Sequence, residues 1–217
     1  MTAMHKGLWL RDVAIDLAGV RLIALDAEVA PGAVLTVMGP SGSGKSTLLA
    51  FIGGFLDPVF TARGEARVDG VDLTALPAEE RRAGILFQDP LLFPHLSVAA
   101  NVAFAIPRHE KGRSRRRAIA EAALGEVGLA DFAARDPATL SGGQKARVAL
   151  MRTLVSHPRL LLLDEPFSKL DATLRGHMRS LVFDRARAAG LPVVLVTHDK
   201  ADAEAAGGAC VRIGDDA

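Results

Sequence analysis

Apolar residues fall along the chain in short runs, and two kinds of run can be told apart. Four are almost wholly apolar: "AVLTVMG" from Ala33, "AGILFQ" from Ala83, "LLLLDEP" from Leu160 and "PVVLVTH" from Pro192. Unbroken apolar character over strand length predicts strands covered on both faces of a parallel sheet. Two earlier runs, "LWLRDVAI" from Leu8 and "RLIALDAEV" from Arg21, mix polar with apolar positions and predict antiparallel, half-exposed strands. "EARVDG" from Glu65 and "CVRI" from Cys210 complete the β-type runs. Between Gln88 and Pro158 no run predicts a strand. The spacing there predicts helices over 98–105, 114–127 and 143–155, with Pro90, Pro94, Pro107 and Pro137 at the joints. The pattern therefore predicts an α/β fold with an antiparallel β portion, its core over about 1–88 and 158–217, interrupted by a helical insertion over about 89–157.

Composition narrows the class. A chain of 217 residues, 49% hydrophobic and 24% charged, suits one large globular domain. Its 26 basic and 25 acidic side chains leave a net charge of +1, and nine Phe, one Trp and no Tyr offer little for stacking bases. No nucleic-acid partner is expected. The apolar runs fall far short of the roughly 20 residues that cross a bilayer. The start, "MTAMHKGLWLRD", meets charge too early for a secretory signal. A single cysteine, Cys210, permits no internal disulfide and fits a reducing cytoplasm. The six histidines show no spacing typical of paired metal ligands.

Two stretches carry chemistry on local grounds. "GPSGSGKST", residues 39–47, fits G-x-x-x-x-G-K-[ST] between an apolar strand and the helical "STLLAFIGG". Gly39, Gly42 and Gly44 let successive backbone N–H groups point into one concavity, where Pro40, Ser41, Ser43 and Thr47 complete the loop. Lys45 supplies a point charge to β- and γ-phosphates, and the Ser46 hydroxyl is a ligand for Mg²⁺. At "LLLLDEP", adjacent Asp164 and Glu165 stand where a buried strand emerges, the edge at which open α/β sheets bind ligands. Asp164 is expected at the metal and Glu165 as the general base that polarises water.

A third stretch, "LSGGQKARVAL" at 140–150, is a second glycine-rich turn opening a second helix. The order GPSGSGKST, Gln88, LSGGQ, LLLLDEP, SKLD and His198 resembles the ATP-binding cassette (ABC) ATPases over nearly the whole chain. The resemblance implies a P-loop NTPase (RecA-like) core with a helical subdomain, ATP as substrate and Mg²⁺ as cofactor. It also implies a head-to-tail dimer in which Ser141, Gly142, Gly143 and Gln144 close over ATP held by the other subunit. Gln88 is similar to the family's glutamine that contacts Mg²⁺ and the lytic water. His198 resembles the histidine that contacts γ-phosphate and orients Glu165. Asp171 resembles the aspartate that communicates between the two sites, although Lys169 replaces the small residue usual beside it.

The family usually stacks adenine on an aromatic about 23 residues before the phosphate loop. Here the region reads "AIDLAG", with Asp16 near the position and Ile15 or Leu17 as apolar alternatives, which leaves the base open between adenine and guanine. The basic run "KGRSRRR" at 111–117 reads as the solvated start of a helix, with Glu121 placed to pair with Arg117. Leu91, Leu92, Phe93 and Leu96 lie in the region where the resemblance implies part of a groove for a membrane permease, and some of them are expected to pack the lobe's own core instead. "EPFSKLDATLR" resembles binding-protein-dependent importers, most closely the small stand-alone thiamine, iron and molybdate type or the YnjD-like group. The expected partners are a second copy, a permease and indirectly a solute-binding protein, at the cytoplasmic face of the membrane. An exporter or lipoprotein-extraction ATPase is the alternative; soluble members acting on ribosomes or DNA carry second cassettes, coiled coils or zinc modules that this sequence lacks.

Overall fold

The computed structural model describes residues 6–214. The opening "MTAMH", on which the expectation of no secretory signal partly rests, and residues 215–217 lie outside them. The chain forms two compact units. The first comprises residues up to Ile85, Arg159–Glu165 and the chain from Arg179 onward; the second comprises Leu86–Pro158 and Pro166–Met178. The second unit thus takes in the segment 166–178, which follows the strand ending in Asp164, as well as the insertion expected over 89–157.

Two sheets build the first unit. Strands β1 (Leu8–Leu17), β2 (Val20–Val29), β4 (Phe60–Val68) and β5 (Val71–Asp72) form an antiparallel sheet in the order β2-β1-β4-β5. Strands β3 (Val34–Met38), β6 (Ala83–Leu86), β7 (Leu160–Asp164), β8 (Val193–Val196) and β9 (Ala209–Arg212) form the other, in the order β6-β7-β8-β3-β9. β8 pairs in parallel with both β7 and β3, and β3 in parallel with β9. Its central strands are buried on both faces: Leu160 to Leu163 and Val193 to Val196 are all 0% exposed. That is why they read as unbroken apolar runs. Leu10, Ile15, Ile23, Leu35, Leu48 and Val194 join one core between the sheets and α1 (Lys45–Gly53).

In the second unit α3 (Val98–Ala105), α4 (Arg113–Glu126) and α5 (Gly142–Leu154) pack on one another. Val102, Leu124, Val148 and Met151 form their fully buried interior. Asn101 is buried with them and fully engaged. Its amide nitrogen donates to the carbonyls of Phe93, Leu96 and Ser97, and its oxygen accepts from Phe93 N. It thereby fixes the turn that leads into α3.

The apolar runs predict all three of these helices within a residue or so, but not every element. β4 begins at Phe60, five residues before the expected Glu65, because alternating exposure along its first half hides the strand. Neither the runs nor the motifs predict α2 (Ala78–Arg81), the 18-residue α6 (Ala172–Ala189) or α7 (Lys200–Ala206). In α6 the buried Met178, Val182 and Ala186 recur every four residues among charged neighbours, a signal easily outweighed by the arginines between them.

Candidate nucleotide-hydrolysis site

β7, β8 and β3 are neighbours, and the residues that follow their carboxyl ends converge there, as ligand-binding residues do in open α/β sheets. From β3 comes the loop 39–44, from β7 Glu165 and from β8 His198.

The phosphate loop is shaped by what glycine permits. Gly44 is the N-cap of α1 at φ 90°, where a Cβ would sit 3.2 Å from Ile23 Cδ1. At Gly39 a Cβ would lie 2.3 Å from the Ile213 carbonyl oxygen, so no other residue fits. A glycine N-cap also brings no side chain to compete for the first N–H groups of α1, which stay available to an anion. Lys45 is only 8% exposed, with its ammonium donating to the carbonyls of Gly39 at 2.9 Å and Pro40 at 2.6 Å. The charge is thus aimed back across the loop. Ser43 N donates to Pro40 O at 3.3 Å, closing the turn.

Beside it, the Ser46 hydroxyl donates to Asp164. Burial pushes the Asp164 carboxyl above its ordinary range; the Glu165 charge adds to the rise, while the Ser46 bond and Lys45 act against it. Glu165 adopts φ 46°, a left-handed conformation that costs a non-glycine residue about 1–3 kcal/mol. The bond from Glu165 N to Val196 O at 2.9 Å holds it there. The strain turns the Glu165 carboxylate toward the next strand, and Oε1 meets His198 Nδ1 at 2.8 Å. Glu165 is 19% exposed and His198 68%, so the carboxylate is sheltered and the imidazole faces solvent. Around the histidine lies a set of residues that no motif announces: Thr197, Asp199 and Asp202, with Arg179 from α6. The acid four residues beyond His198 was the available signal.

The remaining expected residues belong to the other unit. Ser141 and Gln144 form a reciprocal cap on α5: Gln144 N donates to Ser141 Oγ at 3.3 Å, and Ser141 N to Gln144 Oε1 at 2.8 Å. Both caps use acceptor atoms, so the Ser141 hydroxyl proton and the Gln144 amide protons remain to donate. A Cβ on Gly143 would lie 3.3 Å from the Lys169 carbonyl, while Gly142 has open space. Lys169 Nζ reaches Asp89 Oδ1 at 2.6 Å. That gives the unusual lysine a partner next to Gln88, itself exposed just past β6. Asp171 accepts from Leu174 N at 2.9 Å and so caps the start of α6. Leu91 is 59% and Phe104 66% exposed, with the Phe104 ring 4.8 Å from that of the half-buried Phe93. Arg117 and Glu121 pair at 2.7 Å on the solvated face of α4.

One expectation is corrected. Ile15, offered as an apolar contact for the base, is 0% exposed and paired with Ile23 in the core, so only the half-buried Leu17 stays available. Strand alternation sends Ile15 inward, and Asp16 forms an ion pair with Arg21 that holds its carboxyl below the ordinary range.

Comparison with known proteins agrees with this geometry. The ABC transporter family model matches residues 22–168. The chain is 46% identical over 199 residues to the uncharacterized ABC transporter ATP-binding protein YnjD of Escherichia coli K12, covering 91% of each chain. It is 44% identical over 183 residues to the thiamine import ATP-binding protein ThiQ of Rhizobium meliloti, covering 84% of this chain and 76% of that one. Among solved structures, a dimeric post-hydrolysis state of the ATP-binding cassette MJ0796 bound to ADP and Pi matches with a TM-score of 0.84. Identity there is 31%, over 96% of this chain and 94% of that one. With a phosphate loop and a paired acid and histidine at adjoining strand ends, and with these relatives, the chain belongs to the ABC transporter family as an ATP-binding, ATP-hydrolysing subunit.

Proposed function

We propose that hydrolysis is carried by Glu165 and His198, in a head-to-tail dimer that energises solute import through a membrane permease. The observation that carries this reading is the 2.8 Å contact between Glu165 Oε1 and His198 Nδ1, at strand ends beside the phosphate loop. Glu165 accepts a proton from water as its oxygen attacks the γ-phosphorus; the bond to the bridging oxygen breaks, and its electron pair leaves with ADP. His198 holds the carboxylate in line and faces the γ-phosphate. The loop 39–44, Lys45 and Thr47 bind the phosphates.

The Ser46 hydroxyl and Asp164 carboxylate are hard oxygen donors joined by one hydrogen bond, a pair that fits Mg²⁺ shared with phosphate oxygens. Among the described residues no cluster of three or more His, Cys, Asp or Glu side chains could form an all-protein cage. Bound there, the ion would neutralise charge that develops on the phosphates. Gln88 is assigned to the same ion and to the water by its motif position.

The turn at Ser141–Gln144 supports the dimer. Its unused hydroxyl and amide protons sit at the positive end of a 13-residue helix, suited to the γ-phosphate of ATP on a second copy. Asp171, at the head of α6, is assigned to signalling between the two sites. The import-named relative and the exposed Leu91 and Phe104 favour a permease as load, with a solute-binding protein acting through it. The chain would then sit at the cytoplasmic face of the membrane; no helix among the described residues is long and apolar enough to cross it.

Glu165→Gln tests the assignment. Loss of the base should lower turnover by about 10²–10⁴-fold while ATP binding persists, so that an ATP-dependent dimer accumulates in light scattering. Wild-type turnover, or an ATP-loaded variant that stays monomeric, would contradict it. Affinity capture from membranes should recover an integral permease; recovery of soluble partners alone would remove the transport role.

A further inference from the structure

His198 poses a mechanical problem. Its side chain is 68% exposed, so packing does not hold the ring, yet its contact with Glu165 requires a set orientation. We propose that Asp202, braced by Arg179, is a positioning residue that fixes the His198 backbone and so aims its imidazole at Glu165. The inference rests on the reading of His198 as the partner of Glu165.

The residues on either side of His198 are both tied to this pair. Thr197, 1% exposed at the end of β8, donates its hydroxyl to Asp202 Oδ2 at 2.9 Å. The same oxygen of Thr197 accepts from Asp199 N at 3.1 Å, which closes the turn around His198. Asp199 caps α7 by accepting from Ala201 N at 2.8 Å, and its other oxygen takes Arg179 Nη2 at 3.3 Å. Arg179 Nε donates to Asp202 Oδ1 at 2.5 Å. Flanked in this way, His198 has a backbone fixed from both sides and a ring free only about its own side-chain bonds.

Asp202 is 3% exposed and the Arg179 side chain 14%. An ion pair so withdrawn from water is weak evidence for stability, since apolar residues of similar size often do as well. What a satisfied buried network does supply is a single geometry. The geometry set here is that of the one segment between Thr197 and Asp199, and the only side chain in it that meets the reactive carboxylate is His198.

Asp202→Asn keeps the size and the acceptor for Thr197 but removes the charge that holds Arg179. The readout is the ring spectrum of ¹³C-labelled histidine in the nucleotide-free protein, with the His198 signal assigned by its loss in His198→Ala. Asp202→Asn should shift or broaden that signal and leave the other histidines in place. It should lower kcat by about 10–100-fold, the cost of a small misplacement, with KM for ATP changed less than twofold. Asp202→Glu, which restores the charge, should recover most of the loss. Should Asp202→Asn fail to fold, Thr197→Val removes the hydroxyl's links to Asp202 and to Asp199 N, leaves the Arg179–Asp202 pair in place, and should perturb the same signal. An unchanged His198 ring signal in a folded variant overturns the proposal, as does a kcat loss of equal size when Asp202→Asn is added to His198→Ala. If instead His198→Ala itself turned over ATP at the wild-type rate, the role of His198 would fail, which is a different result.

Discussion

Asp164, proposed as a Mg²⁺ ligand, works against the fold that carries it. Its carboxyl titrates above the ordinary range, chiefly because burial disfavours its charge. An acid with a raised folded pKa adds nothing to stability once ionised; as pH climbs from the ordinary carboxylate range through the raised value, stability falls. The cost grows as the carboxyl ionises. Asp164→Asn removes the charge and keeps an acceptor for Ser46. It is expected to raise the Tm of the nucleotide-free protein at pH 7, with a gain that shrinks as pH is lowered toward 4, and to abolish Mg²⁺-dependent hydrolysis. A lower Tm at pH 7, measured by calorimetry, would show that the carboxylate is stabilising after all. Glu165 follows the same logic in its backbone: a left-handed conformation is tolerated because it brings the carboxylate to His198.

At the scale of elements, the cap of α5 and the phosphate-binding role proposed for the same turn can be separated by substitution. Ser141 accepts from Gln144 N, which stabilises the helix, and retains a proton to give. Ser141→Ala should cost about 1 kcal/mol of stability, read as a lower urea midpoint, and should reduce hydrolysis. Ser141→Asp should regain the cap and the stability, because aspartate is as good an N-cap, yet bring a negative charge to the turn proposed to receive a phosphate. Turnover should stay suppressed. A Ser141→Asp variant as active as the wild type would mean that the turn serves its own helix only. The elements also show what patterns reveal. β3, β7 and β8 are legible because burial on both faces demands apolar residues at every position. α6 and the first half of β4 are not, because each exposes one side and carries charge along it.

The whole molecule bears on whether one copy suffices. The residues paired around the phosphate loop lie in one unit, and the Ser141 turn lies in the other. If that turn completes the pocket of a second copy, specific ATPase activity should rise with protein concentration and level off once dimers form. Activity per mole that is constant from nanomolar to micromolar protein, with ultracentrifugation showing monomers throughout, would end the composite-site reading. Sequence alone placed the motifs in order and made the family recognisable, since chemistry with phosphate restricts which residues stand in the loop, at the strand ends and at the signature turn.

The sequence by itself determined the α/β class, the phosphate loop, the acid pair and the capped second turn, because each depends on residues within a few positions of one another. The family resemblance already implied that His198 orients Glu165, and the tertiary structure supplied the contact across adjacent strands; it alone decided that Ile15 is withdrawn into the core and that Asp202 and Arg179 brace the histidine turn. The contacts of Glu165 with His198 and of Arg179 with Asp199 and Asp202 join residues between 20 and 33 positions apart, the burial of Ile15 depends on which face of its strand turns inward, and the Thr197–Asp202 link spans five positions. The acid four residues beyond His198 is the one local signal among them; the rest follow from strand order and from burial.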